Sequence, residues 1–191
     1  LPVASADALW MTVWRGADVG EEAPFTLTTF GAGGSGARHD KDGLPTTGFP
    51  TGVRAAPTEV VETLTPLVQH RRELRPDSGG AGTHRGGLGQ VVEVGRTGGS
   101  AWSVNANIDR TRHPAPGAEG GHPGAAGEFI ELATGRELPR KQLVRLAPTA
   151  GGRLEFPGGG GYGDPHGRPV DEVFRDVVEG YVSIGAAEEV Y

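Results

Sequence analysis

The chain has 191 residues, 36% of them hydrophobic and 34 of them glycine, which is enough for one domain but leaves less apolar core than usual. Its net charge is −6 and no basic run interleaves with aromatic residues, which excludes the electrostatic footprint of nucleic-acid binding. The absence of cysteine excludes disulfides and thiolate metal sites, and no apolar run is long enough to cross a membrane, so we expect a protein of the reducing cytoplasm.

Two neighbouring strands are predicted near the start of the chain. Residues 9–14 alternate side chains between two faces, one of which carries Trp10, Thr12 and Trp14. Residues 25–30 form a second strand, and residues 16–24 between the two have the composition of a turn region. A β-hairpin or a pair of adjacent strands is the economical interpretation.

A glycine-rich loop, GAGGSGARHDKDG, occupies residues 31–43. The Asp-Gly pair at its end predicts a tight turn. Two interpretations stay open for this loop, because loops host function disproportionately but mostly connect elements. It is either a ligand site or a surface connection in which Arg38, His39 and Asp40 are solvated.

The middle of the chain predicts a helix and two strands around a second glycine-rich segment. An initial proline, acidic residues in the first turn and spaced apolar residues predict a short helix over residues 57–64. Residues 67–74 and 90–94 are predicted strands, joined by DSGGAGTHRGGLG at residues 77–89. Because glycine lets other groups approach the backbone, this segment is either a ligand cradle or a tightly packed backbone crossing. Its pattern gives little support to nucleotide binding, since it contains neither a P-loop nor a G-x-G-x-x-G after a clear strand.

Two longer segments follow. Residues 102–108 alternate apolar and polar side chains, which is typical of a half-buried strand. Residues 109–127 contain prolines, glycines and two histidines without any period, which predicts a long irregular loop. Loops of that length inside a compact domain are usually functional or disordered.

The last predicted strands lead into a run of four glycines. Short strands are predicted over residues 128–132 and 142–146, which can pair around Thr134-Gly135, and over residues 154–156. Residues 158–161 then offer amides without side-chain obstruction. That geometry suits either anions or a backbone crossing.

Two helices are predicted at the end of the chain. Five apolar residues between positions 170 and 178 fall on one face of a 3.6-residue period, with proline before them and glycine after them. Ser183 can cap a second short helix over residues 184–191. The whole pattern predicts a β-rich α+β domain with short strands, long glycine-rich loops and a C-terminal helix pair.

Five motifs, in order along the chain, resemble the hydantoinase B/oxoprolinase family. Three are the glycine-rich strings GAGGSGARHDKDG, DSGGAGTHRGGLG and PGGGGYGDP. The others are DRTRHPAPGAEGGHPG at residues 109–124 and VFRDVVEGYVS at residues 173–183. The resemblance runs over nearly the whole chain but matches only the C-terminal part of a longer B-type subunit. We therefore expect residues 1–191 to be such a C-terminal portion, either a fragment or a separately encoded piece.

The resemblance implies an ATP-dependent hydrolase that opens a cyclic amide, a hydantoin or 5-oxoproline. Phosphorylation of the amide oxygen would make it a leaving group for attack by water. ATP and Mg would be bound by a hydantoinase A-type partner subunit, and this chain alone would be inactive. The N-terminal part of the B-type subunit is a further expected partner, and any divalent metal would lie there.

Two other functions stay open. One is an ATP-dependent ketone carboxylase of the acetone or acetophenone type, which the motifs do not separate from the cyclic amidases. The other is a noncatalytic interaction domain that packs on the ATP-binding subunit. An interaction domain predicts that the isolated chain binds its partner but no substrate, whereas an active-site domain predicts that Asp77→Ala abolishes turnover in the full assembly.

The candidate site residues come from the glycine-rich motifs. We expect Asp77 to act as an orienting carboxylate or base and Arg85 to clamp a phosphate or carboxylate, with His84 as a third catalytic residue. Substrate contacts are expected from Ser78, Gly79, Gly80, Gly159, Gly160, Gly161 and Asp164. The loops around Asp77 and Gly158 are expected to converge at one end of the sheet.

A structural interpretation of the same residues stays open, in which Arg85 pairs with a carboxylate and His84 faces water. A Ser78-His84-Asp77 triad is disfavoured, because residues so close in one loop rarely reach the facing geometry that a triad needs. His166 is the other histidine that lies in a glycine-rich motif. The six histidines are widely spaced and form no H-x-x-x-H pattern, so no metal site is expected in this chain.

Overall fold

The computed structural model describes residues 9–16, 24–48, 51–98 and 101–191, so most of the predicted turn over residues 16–24 lies outside the described residues. The α-helices are α1 (Thr58–Leu64), α2 (Val170–Val178) and α3 (Ile184–Val190), and a 3-10 turn covers Pro165–Gly167. The strands are β1 (Leu9–Gly16), β2 (Phe25–Ala32), β3 (Leu67–Leu74), β4 (Gln90–Arg96), β5 (Trp102–Asn107), β6 (Glu128–Glu131), β7 (Leu143–Leu146) and β8 (Gly152–Glu155). The predicted β-rich α+β class with a C-terminal helix pair is confirmed.

The strands of the described segments form two four-stranded antiparallel sheets. The first has the order β2-β1-β5-β7 and the second the order β3-β4-β8-β6. β1 and β2 pair along their whole length, which confirms the prediction of neighbouring strands. The predicted pairing of residues 128–132 with residues 142–146 is wrong, because β6 pairs with β8 and β7 pairs with β5. The chain does turn back at residues 134–135, but residues 136–138 lie beside β6 there, and the amide of Leu138 donates to the carbonyl of Phe129 at 2.7 Å.

The core lies between the two sheets and is built around tryptophans. In β1 the face that carries Trp10 and Trp14 is buried, while Met11 on the other face is 37% exposed. The Trp10 ring lies 4.4 Å from that of Phe156, which follows β8 in the opposite sheet. Trp14 stacks on Trp102 of β5 at 5.6 Å. Burial of large aromatic surfaces from both sheets holds them face to face.

Four segments outside the regular elements form what we call the glycine layer, residues 33–46, 78–89, 115–125 and 156–163. The glycine run at residues 158–161 lies at its centre. The amides of Ala37, Gly80 and Ala118 donate to the carbonyls of Gly160, Gly159 and Gly161, at 2.9, 2.8 and 3.0 Å. These contacts join the run to each of the other three segments, so the glycine-rich motifs meet as tightly packed backbone.

The helix pair packs on the glycine layer in an unusual orientation. In α2, which is described in full, Asp176 is the one buried residue. The apolar stripe of the same helix is turned to solvent, with Phe174 68% exposed. Ser183 caps α3 as predicted, since its Oγ accepts from the amide of Ala186 at 3.2 Å. Among the described residues there is no helix with the length and apolar character that a membrane span requires.

Candidate functional site

Asp77 ties the second glycine-rich motif to the helix pair. It adopts a left-handed backbone with φ of 58°, and its amide donates to the carbonyl of Tyr181 at 3.0 Å. Its Oδ1 accepts from the amide of Ser183 at 2.7 Å, directly before α3. The carboxylate is otherwise exposed at the surface. Asp77 is therefore both a structural connection and an accessible acid.

Ser78 is completely buried. Its hydroxyl donates to the carbonyl of Arg75 at 2.6 Å and accepts from the amide of Gly89 at 2.9 Å. Both bonds go to backbone atoms at the two ends of the same loop. This arrangement closes the loop and keeps the hydroxyl away from solvent.

His84 lies at a crossing of two glycine-rich motifs. Its backbone exchanges two hydrogen bonds with Tyr162, at 3.0 and 2.9 Å. The ring is 25% exposed, and its Nδ1 lies 4.0 Å from Oδ1 of Asp42. His84 is therefore held by its backbone, with its ring beside a carboxylate.

Arg85 belongs to a group of four charged residues that we call the buried ion cluster: Asp42, Arg85, Arg168 and Asp176. Arg85 Nε donates to Oδ2 of Asp176 at 3.2 Å. Arg168 donates to both carboxylate oxygens of Asp42, at 2.8 and 2.7 Å, and also to Asp176 at 2.8 Å. A further carboxylate, that of Glu172, lies 3.5 Å from Arg168 at the edge of the cluster. Arg85 thus pairs with a carboxylate, as the structural interpretation proposed.

Proximity of opposite charges controls ionisation in this cluster. Burial alone would raise the pKa of Asp42, but the hydrogen bonds and charge of Arg168, with the charge of Arg85, hold that pKa below its usual range. Burial alone would lower the pKa of Arg168, but the carboxylates of Asp42 and Asp176 raise it. Both groups are therefore fully charged at neutral pH, and their attraction offsets the loss of hydration.

The glycines expected to bind substrate are occupied by their own backbone neighbours. The amides of Gly159 and Gly161 donate to the carbonyls of Gly87 and His122, at 2.9 and 3.0 Å. A Cβ at Gly159 would lie 1.9 Å from the carbonyl oxygen of Ser35. These amides do not form a phosphate cradle, so this part of the chain does not fit ATP.

Asp164 terminates the third glycine-rich motif. Its Oδ1 accepts from the amide of His166 at 3.0 Å, which caps the 3-10 turn. Its carbonyl accepts from the hydroxyl of Thr83 at 2.7 Å, which connects it to the second motif. The His166 ring lies on the surface, 3.2 Å from the carbonyl of Tyr191. The loops around Asp77 and Gly158 lie against each other, since the amide of Gly80 donates to the carbonyl of Gly159 at 2.8 Å.

A hollow of about 170 Å³ opens beside Asp77, between the glycine layer and α3. Gly79, Ala81 and His122 form its loop side, and α3 contributes the wall that ends at Tyr191. Asp77 and His122 are its carboxylate and imidazole, the side-chain types that transfer protons in enzymes. We call it the Asp77 hollow.

A second, smaller and more apolar cleft of about 50 Å³ lies between the two sheets, under α1. Its lining includes Trp14, Val61 and Leu154, with Thr12 and Gln90 as polar groups. None of the expected site residues lines it. Within the described segments, no group of three or more His, Asp or Glu side chains is placed to hold a metal ion.

The sequence profile of the hydantoinase B/oxoprolinase family matches residues 1–165. This chain belongs to that family. The caprolactamase subunit beta of Pseudomonas jessenii is 35% identical over 173 residues, which cover 83% of this chain. The solved structure of the ATP-dependent caprolactamase from the same organism superposes with a TM-score of 0.72 at 27% identity, over 99% of this chain and 35% of that chain.

A nucleotide-free acetone carboxylase shares the fold, with a TM-score of 0.75 over 98% of this chain and 30% of that chain. Its sequence identity is 24%, so the likeness concerns the fold alone. The chain spans about a third or less of the length of these relatives, including 29% of the caprolactamase subunit beta.

The family motifs also contain functional candidates that sequence reasoning missed. Asp42, Arg168 and Asp176 complete the buried ion cluster, and His122 lines the Asp77 hollow. Asp42 lies in the first glycine-rich motif, and Asp176 interrupts the apolar pattern of α2. A charged residue inside an otherwise apolar pattern is the feature that could have identified Asp176.

Proposed function

We propose that this chain is part of an ATP-dependent enzyme that opens a cyclic amide, together with a hydantoinase A-type subunit that binds ATP and Mg. The observation that carries the proposal is the 35% identity to a caprolactamase subunit beta over 83% of the chain. The likeness to acetone carboxylase is limited to the fold, and for that reason we favour amide hydrolysis over ketone carboxylation.

Within this proposal, the Asp77 hollow is the place where this chain meets substrate. The Asp77 carboxylate is accessible and oriented, since one of its oxygens accepts from the amide of Ser183 at 2.7 Å. It can accept a proton from an attacking water, which is the role of a general base. His122, which also lines the hollow, can bind the amide group. The amides of Gly159 and Gly161 are already bonded to backbone carbonyls, which supports assigning ATP to the A-type subunit and only substrate and water to this chain.

We propose positioning roles for the other predicted residues. Arg85 is buried and bonded to Asp176, so it holds the second glycine-rich motif against α2. Ser78 closes the same motif through its two backbone bonds. His84 stays a candidate for substrate contact, because its ring is partly exposed beside Asp42.

The test of the proposed activity is ATP turnover by the complete assembly that contains this chain. The substrate panel comprises caprolactam, 5-oxoproline, hydantoins and small ketones with bicarbonate. We expect ADP release that depends on a cyclic amide and yields the ring-opened amino acid. ADP release that requires a ketone and bicarbonate would contradict the proposal and would identify the assembly as a carboxylase.

The role of Asp77 is tested by two substitutions in that assembly. Asp77→Asn keeps an acceptor for the Ser183 amide and tolerates the left-handed backbone, but it removes the charge. A general base predicts a loss of about 10²- to 10⁴-fold in turnover with unchanged melting temperature. Asp77→Ala should lose stability as well as turnover. Full activity of Asp77→Asn would show that the side chain has a structural role only.

An interaction role is the second candidate, and one observation favours it. The apolar stripe of α2 faces solvent although it is the most regular apolar pattern in the chain. A surface of this kind typically marks a binding site for another protein.

A further inference from the structure

An exposed apolar face runs along the helix pair. It contains Val170, Phe174, Val178 and Ile184, which are 83%, 68%, 67% and 67% exposed. Three of these residues are spaced four apart on α2, so they form one continuous stripe. We call this stripe the α2–α3 face.

The orientation of α2 is fixed by the opposite side of the helix. Asp176 is buried there and bonded to Arg85 and Arg168. Rotation of the helix could bury Phe174 and the rest of the apolar stripe. It would also move Asp176 away from the two buried guanidinium groups that it binds. Such unpaired buried charges are strongly unfavourable. The ion pairs of Asp176 therefore keep the apolar stripe exposed to solvent.

The rim of the α2–α3 face is acidic. Four exposed carboxylates lie on the two helices or directly after α2, against one exposed guanidinium, that of Arg175; the acids are Asp171, Glu179, Glu188 and Glu189. Asp176 and Glu172 are not counted, because both are paired with arginines of the buried ion cluster. The rim thus has a net charge of −3 around an apolar centre.

This charge pattern decides between kinds of partner. A second copy of this chain would bring the same acidic rim against itself, which opposes association. We infer that the α2–α3 face docks a different polypeptide, whose surface presents apolar side chains within a rim of Lys and Arg. The inference rests on the proposed function for the identity of that polypeptide, which is the A-type subunit of the assembly.

The experiment measures binding of the complete B-type polypeptide containing this chain to the A-type subunit by sedimentation. Phe174→Asp in the apolar stripe should weaken binding about tenfold or more. Val60→Asp is the matched control, because Val60 is 46% exposed on the remote helix α1, and it should leave binding unchanged. The double change Glu188→Lys with Glu189→Lys cancels the net negative charge of the rim, so it should slow association and weaken its salt dependence.

Three results would overturn the inference. Equal binding by the Phe174→Asp and Val60→Asp variants would show that the face is not the interface. Self-association that Phe174→Asp abolishes would assign the face to a second copy. The third result is a lower melting temperature of the free B-type polypeptide in the Phe174→Asp variant but not in the Val60→Asp variant. It would mean that other domains of the same polypeptide cover the face. Binding is measured without substrate, so a failure of the cyclic amidase proposal would not affect these results.

Discussion

At the scale of single residues, the buried ion cluster connects parts of the chain that are distant in sequence. Asp42 lies in the first glycine-rich motif, Arg85 in the second, and Arg168 and Asp176 near the end of the chain. Burial of charges is unfavourable unless each finds partners of opposite sign. Two guanidinium groups and two carboxylates satisfy this condition, so the cluster fixes how these segments meet.

Removal of Asp176 should strongly destabilise the protein. Asp176→Ala leaves Arg85 and Arg168 without their shared carboxylate, which is expected to lower the free energy of unfolding by about 3–5 kcal/mol. Asp171→Ala is the matched control, since Asp171 lies on the same helix but is 80% exposed, and its effect should stay within about 0.5 kcal/mol. Urea unfolding of both variants checks this. Equal stability of the two variants would contradict a structural role for the cluster.

Asp42 should make stability depend on pH in the acidic range. Its pKa is lower in the folded protein than the unfolded value of about 3.9, so its stabilising contribution is complete above the unfolded pKa. The contribution is lost as pH falls below that value and through the folded pKa. Asp42→Asn should therefore flatten the loss of stability between about pH 5 and pH 2. Asp171→Asn serves as the control, and identical pH profiles for Asp42→Asn and wild type would refute the assignment.

At the scale of elements, the glycine layer supports the site without being a helix or a sheet. Its segments lie so close that carbonyl oxygens occupy the positions of side chains. A Cβ on Gly158 would lie 1.7 Å from the carbonyl oxygen of Ser78, and one on Gly161 would lie 2.1 Å from that of Ala81. The motif thus needs glycine for close approach of backbones. Many backbone groups that would otherwise be buried unpaired are hydrogen-bonded in this way.

An alanine in the centre of this layer should be poorly tolerated. The Cβ of Gly159→Ala would lie 1.9 Å from the carbonyl oxygen of Ser35, which belongs to the backbone and cannot rotate away. We expect a loss of about 3 kcal/mol or more in the free energy of unfolding. Gly185→Ala is the control, because that position in α3 faces open space and should gain up to about 1 kcal/mol. Thermal melts of the two variants measure these effects. A wild-type melting temperature for Gly159→Ala would contradict the close packing of Gly159 on Ser35.

At the scale of the whole molecule, three layers of contact depend on one another. The two sheets enclose the aromatic core, the glycine layer continues from their loops, and the helix pair attaches through the buried ion cluster. The helix pair contributes its polar side to this assembly and leaves its apolar stripe outside. The chain spans 29% of the length of the caprolactamase subunit beta, so most of that subunit has no counterpart in these 191 residues.

Contact between the two sheets should dominate global stability. Trp10 is fully buried and packs on Phe156 across the core, so Trp10→Ala should cost about 3–5 kcal/mol. Met11→Ala is the control on the same strand, because Met11 is 37% exposed on the opposite face, and its effect should be near 0.5 kcal/mol. Chemical denaturation measures both. Comparable losses would mean that β1 does not face the core as described.

Most elements could be predicted from local pattern, and the misses share one cause. The alternation of β5 and the cap at Ser183 are local properties, and both predictions are confirmed. The partner of β6 was predicted wrongly, because the turn after β6 brings residues 136–138 beside it, while β7 pairs with β5 in the other sheet. The partners of Arg85 could not be predicted from local sequence either, because the carboxylates that bind it lie 43 or more residues away.

By itself, the sequence determined the class of the fold, the positions of nearly all strands and helices, and the family. These follow from periodicity, capping residues and short motifs, which act over a few residues. Only the tertiary structure decided that the glycine-rich motifs pack on one another, that Arg85 pairs with Asp176, and that the apolar stripe of α2 faces outward. The physical reason is that hydrogen bonds, ion pairs and burial depend on which distant segments meet, and no local pattern encodes that.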